Sequence, residues 1–80
     1  MEKSVSSEDY KLFLRRLRAE RRRAGVTQEE LATRLKETQT FVSKCERGER
    51  RIDVIELRAI CKALGTSFTA FVKNLDLSLK

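Results

Sequence analysis

The chain has no histidine, no proline, three glycines and two cysteines among its 80 residues. Without histidine, zinc sites of the Cys/His type are excluded, and two cysteines cannot close a structural zinc site. Cys45 and Cys61 both fall inside helical patterns among apolar neighbours, where a free thiol serves as a small buried hydrophobe. No apolar run approaches the roughly 18 residues of a membrane span. The N-terminal MEKSVSSED lacks the apolar centre of a signal peptide. A cytoplasmic chain without a membrane partner is therefore expected. Also missing are a Gly-rich phosphate loop and clustered carboxylates, so no nucleophile-plus-base pair can be assembled. No enzymatic activity and no cofactor or metal are expected.

What is present is charge and helical pattern. About 40% of residues are hydrophobic and 38% charged, with a net charge of +6, which fits a folded chain with a polyanion as partner. The positive charge is concentrated. Residues 15–23, RRLRAERRR, hold six Arg against one Glu, and residues 47–51, RGERR, hold three against one. A solvated surface accounts for most of the first run.

Each glycine follows a helical pattern, where a left-handed residue can close a helix. The pattern predicts an all-α fold of five helices with short connections. The first runs from about Ser7 to Ala24 and stops at Gly25. The second runs from about Gln28 to Lys36, with Thr27 and Glu30 as a capping box. The third starts at Thr38 as N-cap and ends near Arg47 before Gly48. Asp53 caps the fourth, with Glu56 reaching back and Gly65 as its stop. The fifth begins at Thr66 or Ser67 and carries Phe68, Phe71, Val72 and Leu75. The tail, Asp76 to Lys80, reads equally as a strand, more helix or an interface arm.

Only Lys36 and Glu37 separate the second and third patterns, which forces a steep crossing of the helix-turn-helix kind. Leu31, Ala32, Leu35, Val42 and Cys45 form the inward set, with Ala32 small enough to admit the third helix. The remainder of that helix is Gln39, Thr40, Phe41, Ser43, Lys44 and Arg47. Gln pairs bidentately with adenine, Lys donates to guanine, and Thr or Phe lies against a thymine methyl. Phe41 is read equally as a core residue.

Leu17, Arg18, Arg21, Gly25, then TQEELA at 27–32, QTFVSKCERG at 39–48, Ile52, and ELRAICKALG at 56–65 together resemble the helix-turn-helix domain of phage repressors and Cro proteins, the XRE family. The resemblance covers about residues 10–75 and implies a lambda-repressor-like domain, taken here as one domain over residues 1–80. It implies base reading by Gln39, Thr40, Phe41 and Lys44. It implies phosphate contacts from Gln28, Ser43, Arg47, Arg50 and Arg51, with Gln28 also bracing Gln39. Arg21 and Glu46 match a buried ion pair. Phe71, Leu75 and Leu77 are assigned to a homodimer interface, with intramolecular core the competing assignment for the leucines. The chain departs from the family at the turn, where Lys36 replaces the usual glycine and Glu37 an apolar residue. Cys45 replaces a larger aliphatic residue, so slight underfilling of the core is expected there.

The implied function is a sequence-specific transcription regulator, a homodimer on a pseudo-palindromic operator in double-stranded DNA. A restriction–modification controller is the preferred narrower reading, since no room is seen after the fifth helix for a ligand-sensing domain. An antitoxin, or a protein-interaction module that uses the fold without DNA, are the rivals.

Overall fold

The computed structural model describes residues 8–79. Among these there are five helices and no strand: α1 (Glu8–Arg23), α2 (Gln28–Leu35), α3 (Gln39–Arg47), α4 (Val54–Leu64) and α5 (Phe68–Ser78). The predicted first-helix start at Ser7 lies outside the described residues, as does Lys80.

Side chains fix the helix starts. At α2 the Glu30 N–H donates to Thr27 Oγ1 at 3.1 Å while the Thr27 N–H donates to Glu30 Oε1 at 2.8 Å. The same reciprocal box opens α4, with Glu56 N–H to Asp53 Oδ1 at 2.7 Å and Asp53 N–H to Glu56 Oε1 at 3.0 Å. Thr38 caps α3 and Ser67 caps α5, each accepting a backbone N–H at 3.1 Å. Each cap satisfies donors that a helix start leaves orphaned, typically about 1 kcal/mol.

Helices α1 to α4 all end in one way. A left-handed residue donates to the carbonyl three positions back, and its successor donates to the carbonyl five back. Three of the four left-handed residues are Gly25, Gly48 and Gly65. The fourth is Lys36, at φ 59° and ψ 40°, the one non-glycine with positive φ among the described residues. A side chain in this region costs roughly 1–2 kcal/mol, while glycine gives back about 0.4–1 kcal/mol through the freer unfolded chain. Lys36→Gly is therefore expected to stabilise by about 0.5–1 kcal/mol, read as a raised urea midpoint with unchanged slope. An unchanged or lower midpoint would show that Lys36 is relaxed there.

The core gathers Phe13, Leu14 and Leu17 of α1, Val26, Leu31 and Ala32, Val42 and Cys45 of α3, Leu57, Ile60, Cys61 and Leu64 of α4, and Phe71 of α5. Leu35 packs at its edge. The shortfall expected at Cys45 amounts to a cavity of about 10 Å³, at the lower limit for holding one water. Both thiols are free and buried, and burial pushes both upward in pKa, away from the reactive thiolate.

Helix α5 settles the tail and corrects one assignment. Residues Asp76 to Ser78 continue the helix, and Leu79 turns extended. Phe71, assigned above to a dimer interface, is a core residue whose ring meets Phe13 edge-on at 6.2 Å. Docking of α5 against α1 and α4 selects Phe71 and leaves Leu77 exposed and Leu75 half-buried.

Candidate nucleic-acid interface

Helix α3 stands on its core side. Val42, Cys45 and Glu46 are buried, while Gln39, Thr40, Lys44 and Arg47 are exposed and Ser43 is half-buried. Among the described residues, Gln39, Thr40 and Lys44 make no side-chain hydrogen bond to the rest of the chain, so their donors and acceptors point outward unspent. Phe41 does not share this face. It lies one turn before Cys45, packs half-buried against the core, and carries the Arg50 guanidinium 4.6 Å from its ring centre. Helical spacing places positions 41 and 45 on one stripe, which removes Phe41 from the base-reading set.

The back of α3 is held by Glu46. Its carboxylate takes Arg21 Nε at 2.7 Å on one oxygen and Arg21 Nη2 at 3.1 Å on the other, a two-pronged grip. Arg21 also donates to the Val26 carbonyl at 2.9 Å, and Arg18 donates to the Glu46 carbonyl at 2.9 Å. Burial pushes the Glu46 carboxyl up, but hydrogen bonds from Arg21 and Gln28 and the nearby Arg18 outweigh it and hold Glu46 below the usual carboxylate range. Arg18 joins this cluster from one helical turn before Arg21, and that spacing is its only signal in the sequence.

Gln28 lies at the first position of α2, and its amide donates to Glu46 Oε1 at 2.9 Å. The structure thus ties Gln28 to Glu46, not to Gln39 as expected. One of its N–H groups is used inward, leaving the other for an outside acceptor.

The arginines at the end of α3 are held differently. Arg47 hydrogen-bonds to Ser43 Oγ and pairs with Glu49 at 2.8 Å. Arg50 forks onto Glu56 at 2.9 and 2.7 Å and donates to the Arg51 carbonyl at 2.8 Å. Arg50 is therefore a strut joining the loop to the first turn of α4, which argues against its assignment to phosphate. Arg51 lies over the Tyr10 ring at 4.5 Å, and the Tyr10 hydroxyl accepts the Ile52 N–H at 3.1 Å. Tyr10 thereby pins this loop to α1, a role no sequence spacing announces.

Elsewhere a cleft of about 790 Å³ runs between α1 and α5. Its titratable groups are tied together: Glu20 accepts from Arg23 at 2.9 Å and from Thr66 at 2.9 Å, and Arg16 reaches Ser78. Among the described residues no group of three or more potential metal ligands occurs, and no helix is long and apolar enough to cross a membrane.

Residues 17–71 match the helix-turn-helix family model. An uncharacterized HTH-type transcriptional regulator from Sinorhizobium fredii is 41% identical over 56 residues, 70% of this chain and 73% of that protein. The solved structure of an XRE-family like protein from Pseudomonas syringae pv. tomato superposes with a TM-score of 0.90 at 40% identity, over 99% of this chain and 96% of that one. The clp gene regulator ClgR from C. glutamicum superposes with a TM-score of 0.77 at 27% identity, over 92% and 96%. The chain belongs to the helix-turn-helix family, in its XRE branch.

Proposed function

We propose that the protein is a sequence-specific DNA-binding transcription regulator, one helix-turn-helix domain acting as a homodimer on a pseudo-palindromic operator. The observation that carries this reading is the division of α3. One side is locked into the core through Val42, Cys45 and Glu46, and the other offers Gln39, Thr40, Lys44 and Arg47 to solvent. An α-helix of this kind fits the major groove, where Gln39, Thr40 and Lys44 read base edges. Gln28, Ser43, Arg47 and Arg51 set the register on the phosphates. Two relatives, one described as an HTH-type transcriptional regulator and the other as a gene regulator, support the same reading. For the dimer, the supporting surface is the apolar groove between the start of α4 and α5, where Val54, Phe68, Val72, Leu75 and Leu79 line one depression.

The test is selection of bound sequences from random duplexes, with the solution mass measured alongside. The expected result is a dimer mass and a two-fold consensus with half-sites about one helical turn apart. On that consensus, Lys44→Ala is expected to lose about ten-fold or more in affinity, with little change on scrambled DNA. Arg51→Ala should weaken both duplexes alike and flatten the slope of log affinity against log salt by about 0.9. Equal losses on both duplexes for Lys44→Ala would remove it from base reading. Salt-sensitive binding without any consensus would defeat the sequence-specific reading as a whole.

A further inference from the structure

The negative charge of Glu49 contributes little to the fold. The residue follows Gly48 at the C-terminal end of α3, where its N–H donates to the Lys44 carbonyl at 2.9 Å. A negative charge there opposes the helix dipole. Among the described residues its one ion-pair partner is Arg47, at 2.8 Å, and both side chains are half exposed, so the pair adds little to the fold. Yet the carboxylate stands among the cations of the DNA-facing surface. Hydrogen bonding from Arg47 and the field of Lys44 hold it below the usual carboxylate range, so it stays ionised at neutral pH.

We propose that Glu49 is a charge brake on DNA binding: in the free protein it occupies the Arg47 guanidinium, and in the complex it repels the phosphate that Arg47 would hold. This rests on the DNA-binding reading above. Arg47 must exchange a carboxylate for a phosphate, so its net contribution to affinity is small. Because phosphates carry no sequence information, the brake acts on every duplex alike and holds down sequence-independent binding. Glu56 on Arg50 is not equivalent, because it also closes the capping box of α4.

The test is Glu49→Gln, titrated against the selected consensus and a scrambled duplex over a range of salt. Both affinities are expected to rise by about five- to ten-fold at about 0.1 M salt, with the salt slope steeper by about 0.9. Arg47→Gln should then cost more in the Glu49→Gln background than in the wild type. Unchanged affinity and slope would overturn the proposal while leaving the DNA reading intact. A gain confined to the consensus, or a gain without a steeper slope, would also overturn it. Absence of binding by the wild type to any duplex would overturn both.

Discussion

Glu46→Ala is expected to lose about 3–5 kcal/mol of unfolding free energy, a large share of the stability of a domain this small. The reason lies in what remains. Arg21 is 9% exposed and Glu46 6% exposed, and the deletion leaves the guanidinium buried with only the Val26 carbonyl as partner. Gln28 loses the same acceptor, and Arg18 loses a charge partner 3.7 Å away while keeping its bond to the backbone carbonyl of residue 46. Replacing both members of the pair by apolar residues, as in Arg21→Met with Glu46→Leu, should cost far less, because no buried charge is stranded. Urea unfolding of the two variants decides it. A loss below about 1 kcal/mol for Glu46→Ala would mean the site takes in water and the pair is not buried in effect.

The same carboxylate gives the protein an acid limit. Its folded pKa lies below the value of the unfolded chain, which is near 4.3. The stabilisation is therefore fully present above that unfolded value and is lost as pH falls through the lowered folded one. Glu46→Ala should be less stable than the wild type at neutral pH, with a flatter acid limb, so that the difference narrows as pH falls.

What could be seen in the sequence was whatever is decided within one turn of helix. The boxes at Thr27 and Asp53, the caps at Thr38 and Ser67, and the stops at Gly25, Gly48 and Gly65 are local hydrogen-bond arrangements. They survive any tertiary context that keeps the helix. The candidate site was legible only where periodicity alone assigns a face, as for Gln39, Thr40 and Lys44. Phe41 carried a legible signal too, its spacing of four from Cys45, which the resemblance to base-contacting positions overrode. Arg50 carried none. Its partner Glu56 lies six positions on across a loop, a distance at which no regular element brings two side chains together. Gln28 likewise turns to Glu46 through the packing of α2 on α3, which depends on side chains 18 positions apart.

Helix α5 shows the same limit and yields the other large effect. Phe68, Phe71, Val72 and Leu75 share an arc of about 100° on an ideal helix, wider than its docked contact. Docking buries the Phe71 edge, 6% exposed, and leaves Val72 39% exposed at the other edge. Phe71 abuts Phe13 at 6.2 Å, and Phe13 abuts Tyr10 at 5.4 Å, so an aromatic row runs from α5 through α1 to the loop that carries Arg51. Phe71→Ala is expected to cost about 3–5 kcal/mol, the usual range for truncating a buried aromatic. Val72→Glu, by contrast, puts a charge into the groove proposed for the second copy and should shift the solution mass from dimer to monomer while circular dichroism stays helical. If Phe71→Ala instead left the monomer stable and only lowered the mass, α5 would pair between copies through its Phe71 edge. The row to Tyr10 would then form only part of the time, and Arg51 would be held less firmly than the structure places it.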